Sequence, residues 1–170
     1  MTTTTLTGDY VLDAERTRIG FVARHRMATR VRGRFAVFEG DVHLDGGDSS
    51  ARLTIQAESI DTGDRRRDAQ LRKDFLGTAA YPEITFVSTK VSQVSSAAFD
   101  VTGDLTIRGT TRSVTVPFEL TDDVRFTASL TIDRLAWKVN WNAFTTALVD
   151  ANVVLELDAV LTPYSQPTPS

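Results

Sequence analysis

The chain has 170 residues, no cysteine and a formal net charge of −3. That length suits one domain with a real core. The missing thiols exclude disulfides, thiolate catalysis and soft-metal cages, and the mildly acidic balance supplies no global field for nucleic acid.

Residues 1–8 read as a flexible segment. They carry neither a basic stretch nor an apolar run, so no secretory leader is expected and a cytoplasmic location is. No later apolar run is long enough to cross a bilayer. From Arg18, apolar and basic residues alternate: Phe21, Ala23, His25 and Met27 share one side, with arginines on or near the other. A period of two means strand. "TRVRGRFAVFEG" repeats the pattern, with Arg30, Arg32 and Arg34 opposite Val31, Gly33, Phe35 and Val37. Gly33 on the apolar side marks a bend or the close approach of another group. Phe38 breaks the alternation, so a bend is expected there.

A glycine turn then leads to "ARLTIQAESI", a strand with Leu53, Ile55 and Ala57 inward. "DTGDRRRDAQLRKDF", Asp61 to Phe75, is different, with nine charged residues in one short span. Asp61 reads as a helix cap, and Leu71 and Phe75, four apart, share a face. This predicts a short amphipathic helix near residues 64–75, which Pro82 separates from the next strand. "ITFVSTKV", "FDVTGDLTIRG", "RSVTVPFEL", "VRFTASLTIDRLAW" and "NVVLELDAVL" all read as strands, with a hairpin turn at "RGTT". "RLAWKVNWNAF" places Trp137, Val139 and Trp141 on one strand face. Residues 163–170 read as a disordered proline-rich tail. Some eight to ten alternating strands around one helical insert predict an all-β fold, an antiparallel barrel or sandwich over residues 9–162.

No motif for catalysis or metal binding stands out. There is no GxSxG elbow, HExxH pair or phosphate-binding glycine loop. His25 shares its strand face with Phe21 and Met27, which points to a hydrogen-bonded core or pocket residue; a catalytic base is the alternative. His43 faces solvent. Seven arginines from Arg16 to Arg34 occur without an acid among them. They read either as the watery side of two strands or as a rim for an anionic head group or membrane surface. The helix mixes aspartates with its arginines and lacks aromatic platforms, so no nucleic-acid partner is expected. The plentiful aromatics either fill a barrel or line a cavity.

Together these segments resemble the YceI-like family, named for polyisoprenoid binding. The resemblance rests on Gly20-Phe21 with Arg24-His25, "TRVRGRFAVFEG", "SIDTGDRRRDAQLRKDF", "YPEITFVSTKV", "VTGDLTIRGTTRSVTVPFEL", "LTIDRLAW" and Trp141-Asn142, and covers residues 8–161. Glutamine at position 70 stands where that family usually has histidine. The resemblance implies an extended, lipocalin-like antiparallel barrel around an apolar channel. It implies a non-catalytic protein that carries or stores a long isoprenoid lipid, a polyprenyl phosphate or an isoprenoid quinone, with no required cofactor and no metal. Phe21, His25, Phe35, Phe86, Leu105, Trp137 and Trp141 are the expected ligand contacts. Arg24, Arg67, Asp68 and Arg134 are expected at the mouth or head group. A hydrolase or isomerase of such a lipid and a filled barrel acting through protein partners are the alternatives. Homodimerisation and transient membrane contact stay open.

Overall fold

The computed structural model describes residues 7–25, 30–45, 48–122, 124–140 and 149–164. Among these described residues eleven strands appear: β1 (Gly8–Leu12), β2 (Arg18–His25), β3 (Arg30–Phe35), β4 (Phe38–Leu44), β5 (Ser50–Gln56), β6 (Ile60–Asp61), β7 (Glu83–Ser95), β8 (Ala98–Ile107), β9 (Thr110–Asp122), β10 (Arg125–Asp133) and β11 (Val149–Pro163). Every pairing is antiparallel.

Eight long strands close the barrel, because three of them are bent. β1 and β2 together pair along β11, β1 at its C-terminal end and β2 over its earlier part. At the bend Thr17 is buried, and its hydroxyl both donates to the Val160 carbonyl and accepts from the Val160 N–H. One side chain thus replaces the ladder bonds that the kink interrupts. β3 and β4 form the second bent strand, pairing with β2 and β1 in turn. Its break at Ala36–Val37 is the bend expected next to Phe38. β5 and β6 form the third, joined by a 3₁₀ turn over Ala57–Ser59. With β7 to β11 the meander is complete, and closure through β1 and β11 leaves little of the free edge of an open sheet.

Alternation explains which face is inward. β3 alternates exposed arginine with half-buried Val31, Gly33 and Phe35, and β4 alternates exposed Glu39, Asp41 and His43 with Phe38, Gly40, Val42 and Leu44. The buried cluster includes Ile19, Ile55, Ile60, Ile84, Leu105, Ile107 and Ile132.

Two glycines make room for phenylalanines that face inward. A Cβ on Gly33 would lie 2.3 Å from the Phe21 ring, so that ring rests over the bare glycine backbone. Gly103 receives Phe86 in the same way, but a Cβ there would also lie 2.5 Å from the Val87 carbonyl oxygen. A ring can swing away, whereas a paired strand backbone cannot. Gly103→Ala is therefore expected to cost about 1–3 kcal/mol, the usual range for overpacking, and Gly33→Ala distinctly less. Denaturant midpoints of the two variants check this; equal losses would show that backbone contact does not set the difference.

Strand β6 pairs with β3 but not with β7, so the wall parts there. The charged segment fills the gap. It forms α1 (Arg65–Gln70) and runs on with π-helical geometry through Leu71–Leu76 to Gly77, which is left-handed at φ 58°. The cap is Asp64, accepting from the Arg66 and Arg67 N–H groups. Asp61, read from sequence as the cap, instead accepts from the Gly63 N–H and stabilises the preceding turn. The cap lies three residues later because Gly63, at φ 83°, still belongs to that turn.

The described part of "RLAWKVNWNAF", residues 134–140, is not the strand its alternation suggested. β10 stops at Asp133, whose side chain accepts from the Leu135 N–H and starts a 3₁₀ turn over Arg134–Trp137. Lys138 follows in left-handed conformation at φ 61°. A local side-chain cap competed with the extended backbone and won.

Three aspartates hold their carboxyl groups below the ordinary value of 3.8. The causes are the Arg16 hydrogen bond to Asp13, the Arg67 N–H on Asp64, and the Arg125 fork on Asp158. The Arg125–Asp158 pair is bidentate, at 2.7 and 2.5 Å. A lowered carboxyl favours the folded state above its unfolded value and loses that effect as protons bind on acidification. Stability is expected to be level above about pH 5 and to fall as pH drops through about 4. Urea midpoints taken from neutral pH downward test this, and Asp158→Asn should flatten part of the fall. A midpoint that rises on acidification would refute the sign.

Candidate functional site

The barrel is hollow. Its lumen is a cavity of about 560 Å³ reached by inward residues of β1 to β11, the helix and the segment after β10. β11 alone contributes Val149, Val153, Leu155, Leu157, Ala159 and Leu161. At about 3.3 Å per residue and the usual barrel tilt of about 40°, that span gives a lumen about 30 Å long.

Its chemistry is one-sided. Beyond apolar residues and Gly20, the described lining consists of Gln70 and four arginines: Arg24, Arg52, Arg67 and Arg134. No described lining residue is a carboxylate, serine, threonine or histidine. Arg24, Arg67, Gln70 and Arg134 belong to the end where β2 stops, β11 begins and the helix packs. We call this end the mouth.

Two of the mouth arginines, Arg134 and Arg67, are positioned by backbone carbonyls. Arg134 is 4 % exposed. Its guanidinium donates to the carbonyls of Asp150 at 3.0 Å, Val139 at 2.7 Å and Val149 at 2.8 Å, and to the Asn140 side-chain oxygen at 3.3 Å. Burial pulls it below its ordinary pKa, against the opposing pull of Asp133 and Asp150. Arg67 donates to the Thr62 hydroxyl and carbonyl at 2.8 and 2.9 Å. Asp68, buried at 7 %, accepts from the Thr62 N–H at 3.0 Å. Arg72 donates to the carbonyls of Glu58 and Ile60. Helix and turn are thus clipped to each other through the charges that made the segment stand out in sequence.

A further clip comes from the two-residue turn between β8 and β9. Arg108, left-handed at φ 50°, donates through one nitrogen to the carbonyls of Phe75, Lys138 and Asn140 at 3.0–3.1 Å. It ties the helix end to the segment after β10. Sequence reasoning placed a hairpin turn there and missed this role, because nothing local marks which carbonyls lie within an arginine's reach.

Of the expected ligand contacts, Phe21, Phe35, Phe86 and Leu105 line the lumen. Phe21 and Phe35 form a tilted ring pair at 5.8 Å. Trp137 does not line it. It is packed into the core at 4 % exposure, with its indole N–H on the Leu105 carbonyl at 2.9 Å, because the 3₁₀ turn rotates it away from the wall. His25 ends β2 with its backbone opposite Val149, and its side chain lies outside the described set. Trp141 lies outside the described residues. Of the expected mouth residues, Arg24, Arg67 and Arg134 line the lumen, and Asp68 sits on the mouth helix and braces it by accepting from the Thr62 N–H. Gln70 and Arg52 are lining residues that sequence did not nominate. His43 is outward, with its ring nitrogen 2.6 Å from Asp9. Among the described residues no cluster of three or more histidines and carboxylates is placed to hold a metal.

Comparison with known proteins follows the same shape. A family model described as the YceI-like domain matches residues 10–161. The chain is 36% identical over 117 residues to a UPF0312 protein of Vibrio parahaemolyticus, covering 65% of this chain and 62% of that protein. It is 37% identical over 118 residues to Protein YceI of Escherichia coli O157:H7, covering 66% and 61%. The matches therefore span about three fifths of those relatives' own length. BcnA of Burkholderia cenocepacia superposes with a TM-score of 0.82 at 30% identity, over 89% of this chain and 99% of that one. A polyisoprenoid binding domain from Saccharophagus degradans, implicated in plant cell wall breakdown, shares the fold at a TM-score of 0.72 and 18% identity, over 91% and 98%.

Proposed function

The chain belongs to the YceI-like family, and from that premise we propose that it is a non-catalytic carrier of a long isoprenoid lipid whose polar end is a phosphate. The observation that carries this reading is the lumen itself: a long apolar channel whose described ionisable lining residues are all arginines. A polyprenyl chain supplies apolar surface along its whole length, and each buried methylene contributes about 0.8 kcal/mol. An extended isoprene unit adds four chain bonds, about 5 Å at ordinary bond lengths. A lumen about 30 Å long suits about six such units.

The mouth supports a phosphate over a neutral quinone ring. Arg24, Arg67 and Arg134 bring three positive charges to the lumen there; the fork of Arg134 is taken up by carbonyls, so Arg24 and Arg67 carry the donors that match phosphate oxygens. The absence of a hydroxyl or carboxylate among the described lining residues supports carriage over hydrolysis. The name of the Saccharophagus domain supports the isoprenoid class.

Native mass spectrometry of gently purified protein, followed by organic extraction, is the direct test. A co-purifying prenyl phosphate is the expected result. A quinone would retain carriage and overturn the head-group assignment. An empty lumen, with no binding of added prenyl phosphate or quinone, would overturn carriage.

A further inference from the structure

We propose that the mouth of the barrel docks on an anionic lipid bilayer through an outer rim of arginines, so that the lumen opens against the membrane surface. Arg24 and Arg30 face each other directly across β2 and β3, and both are exposed. Two like charges in register are unfavourable in isolation. Farther along β3, Arg32 and Arg34 have carboxylate partners, Glu156 at 3.9 Å and Asp61 at 3.6 Å. Among the described residues Arg24 and Arg30 have none. Arg65 and Arg66 add two exposed cations, without ion pairs among the described residues, on the first turn of the helix that flanks the same opening. That is also the helix end where cations are least favoured. Four charges therefore stand where folding alone does not want them.

The opposite end of the barrel has the reverse sign. The β4–β5 connection carries exposed Asp45 and Asp48, the β9–β10 end carries Glu119 and Asp122, and Asp9 stands on β1. Arg125 at that end is held by Asp158. A chain with net charge −3 is thus polarised along its axis, which turns the mouth towards an anionic surface and the far end away from it. The acids at the mouth lie differently: Asp133, Asp150 and Asp64 each accept from a backbone N–H near their own element, the first two on the β10–β11 side, Asp74 stands beside Lys73 on the helix, and Glu58 and Glu83 lie on the β5–β7 side. The docking face is accordingly the β2–β3–helix side of the opening.

The inference extends the carrier reading, and its test does not depend on a loaded lumen. Flotation with phosphatidylcholine vesicles, and with vesicles that also contain phosphatidylglycerol, should show binding to the second kind alone. Binding should vanish at about 1 M salt, where charges are screened beyond about 3 Å. Arg30→Glu/Arg65→Glu/Arg66→Glu should bind the anionic vesicles at least tenfold more weakly. This variant removes a like-charge pair and places acids at a helix start, so its melting temperature should hold or rise. A control, Asp45→Asn/Asp48→Asn, should bind as well as wild type or better. Binding of a soluble short-chain prenyl phosphate, measured separately, should persist in the triple variant. Equal binding to neutral and anionic vesicles, no binding to either, or a triple variant that binds like wild type would each overturn the docking proposal. Loss of the prenyl phosphate signal in wild type would instead count against carriage.

Discussion

Arg134→Met is expected to destabilise the fold by about 3 kcal/mol. Methionine keeps much of the apolar stem, so the loss isolates the guanidinium. That group is the donor to three carbonyls and one side-chain oxygen that hold the start of β11 to the segment after β10. A buried acceptor left unpaired costs about 1–3 kcal/mol, and neighbouring losses do not simply add. Removing a cation that burial disfavours offsets part of the sum. Arg134→Lys should recover less than half, since an ammonium cannot reach four acceptors in a planar fork. Chemical denaturation of both variants reads this directly. A loss below about 1 kcal/mol for Arg134→Met would show that water replaces the guanidinium without strain.

The second large effect is expected on binding rather than folding. Ala23 and Ala51 are small lining residues, Ala23 near the mouth and Ala51 towards the far end. Tryptophan at either position extends into existing space, so overpacking is avoided and apolar area is gained. Each variant should keep or raise the stability of the empty protein. A chain that runs the whole lumen loses room in both cases, and displacement of even a few methylenes, at about 0.8 kcal/mol each, weakens binding at least tenfold. A chain that fills only the mouth half is affected by Ala23→Trp alone. Titration of a long prenyl phosphate into delipidated wild type and both variants distinguishes these cases. Unchanged affinity in both would place the ligand outside the lumen. Gly33 is a poor site for such a probe: the Phe21 ring already lies over it, and a substituent there strains the wall before it reaches the cavity.

Much of the fold was legible because a barrel wall imposes period two at every position. Arg30, Arg32 and Arg34 alternate with Val31, Gly33 and Phe35 for that reason, and the same rule put Phe21, Phe35, Phe86 and Leu105 on the lumen side. The failures are equally physical. Trp137 follows an alternating pattern, but Asp133 caps a 3₁₀ turn and redirects it into the core. The Arg108 contacts join segments about thirty residues apart, a distance at which periodicity carries no information.

The sequence by itself determined which side of most strands is apolar, that one strand bends next to Phe38, and that one charged helix interrupts them. These depend on neighbours within a few residues, where alternation, glycine and capping aspartates act. Whether the barrel is filled or hollow was decided only by the tertiary structure. That outcome depends on how far opposite walls stand apart, which is set by the number and tilt of strands closing through β1 and β11. The gathering of Arg24, Arg67 and Arg134 at one end was decided in the same way. Three residues spread over more than a hundred positions meet there because β2, the helix and the end of β10 all reach the mouth of one closed sheet.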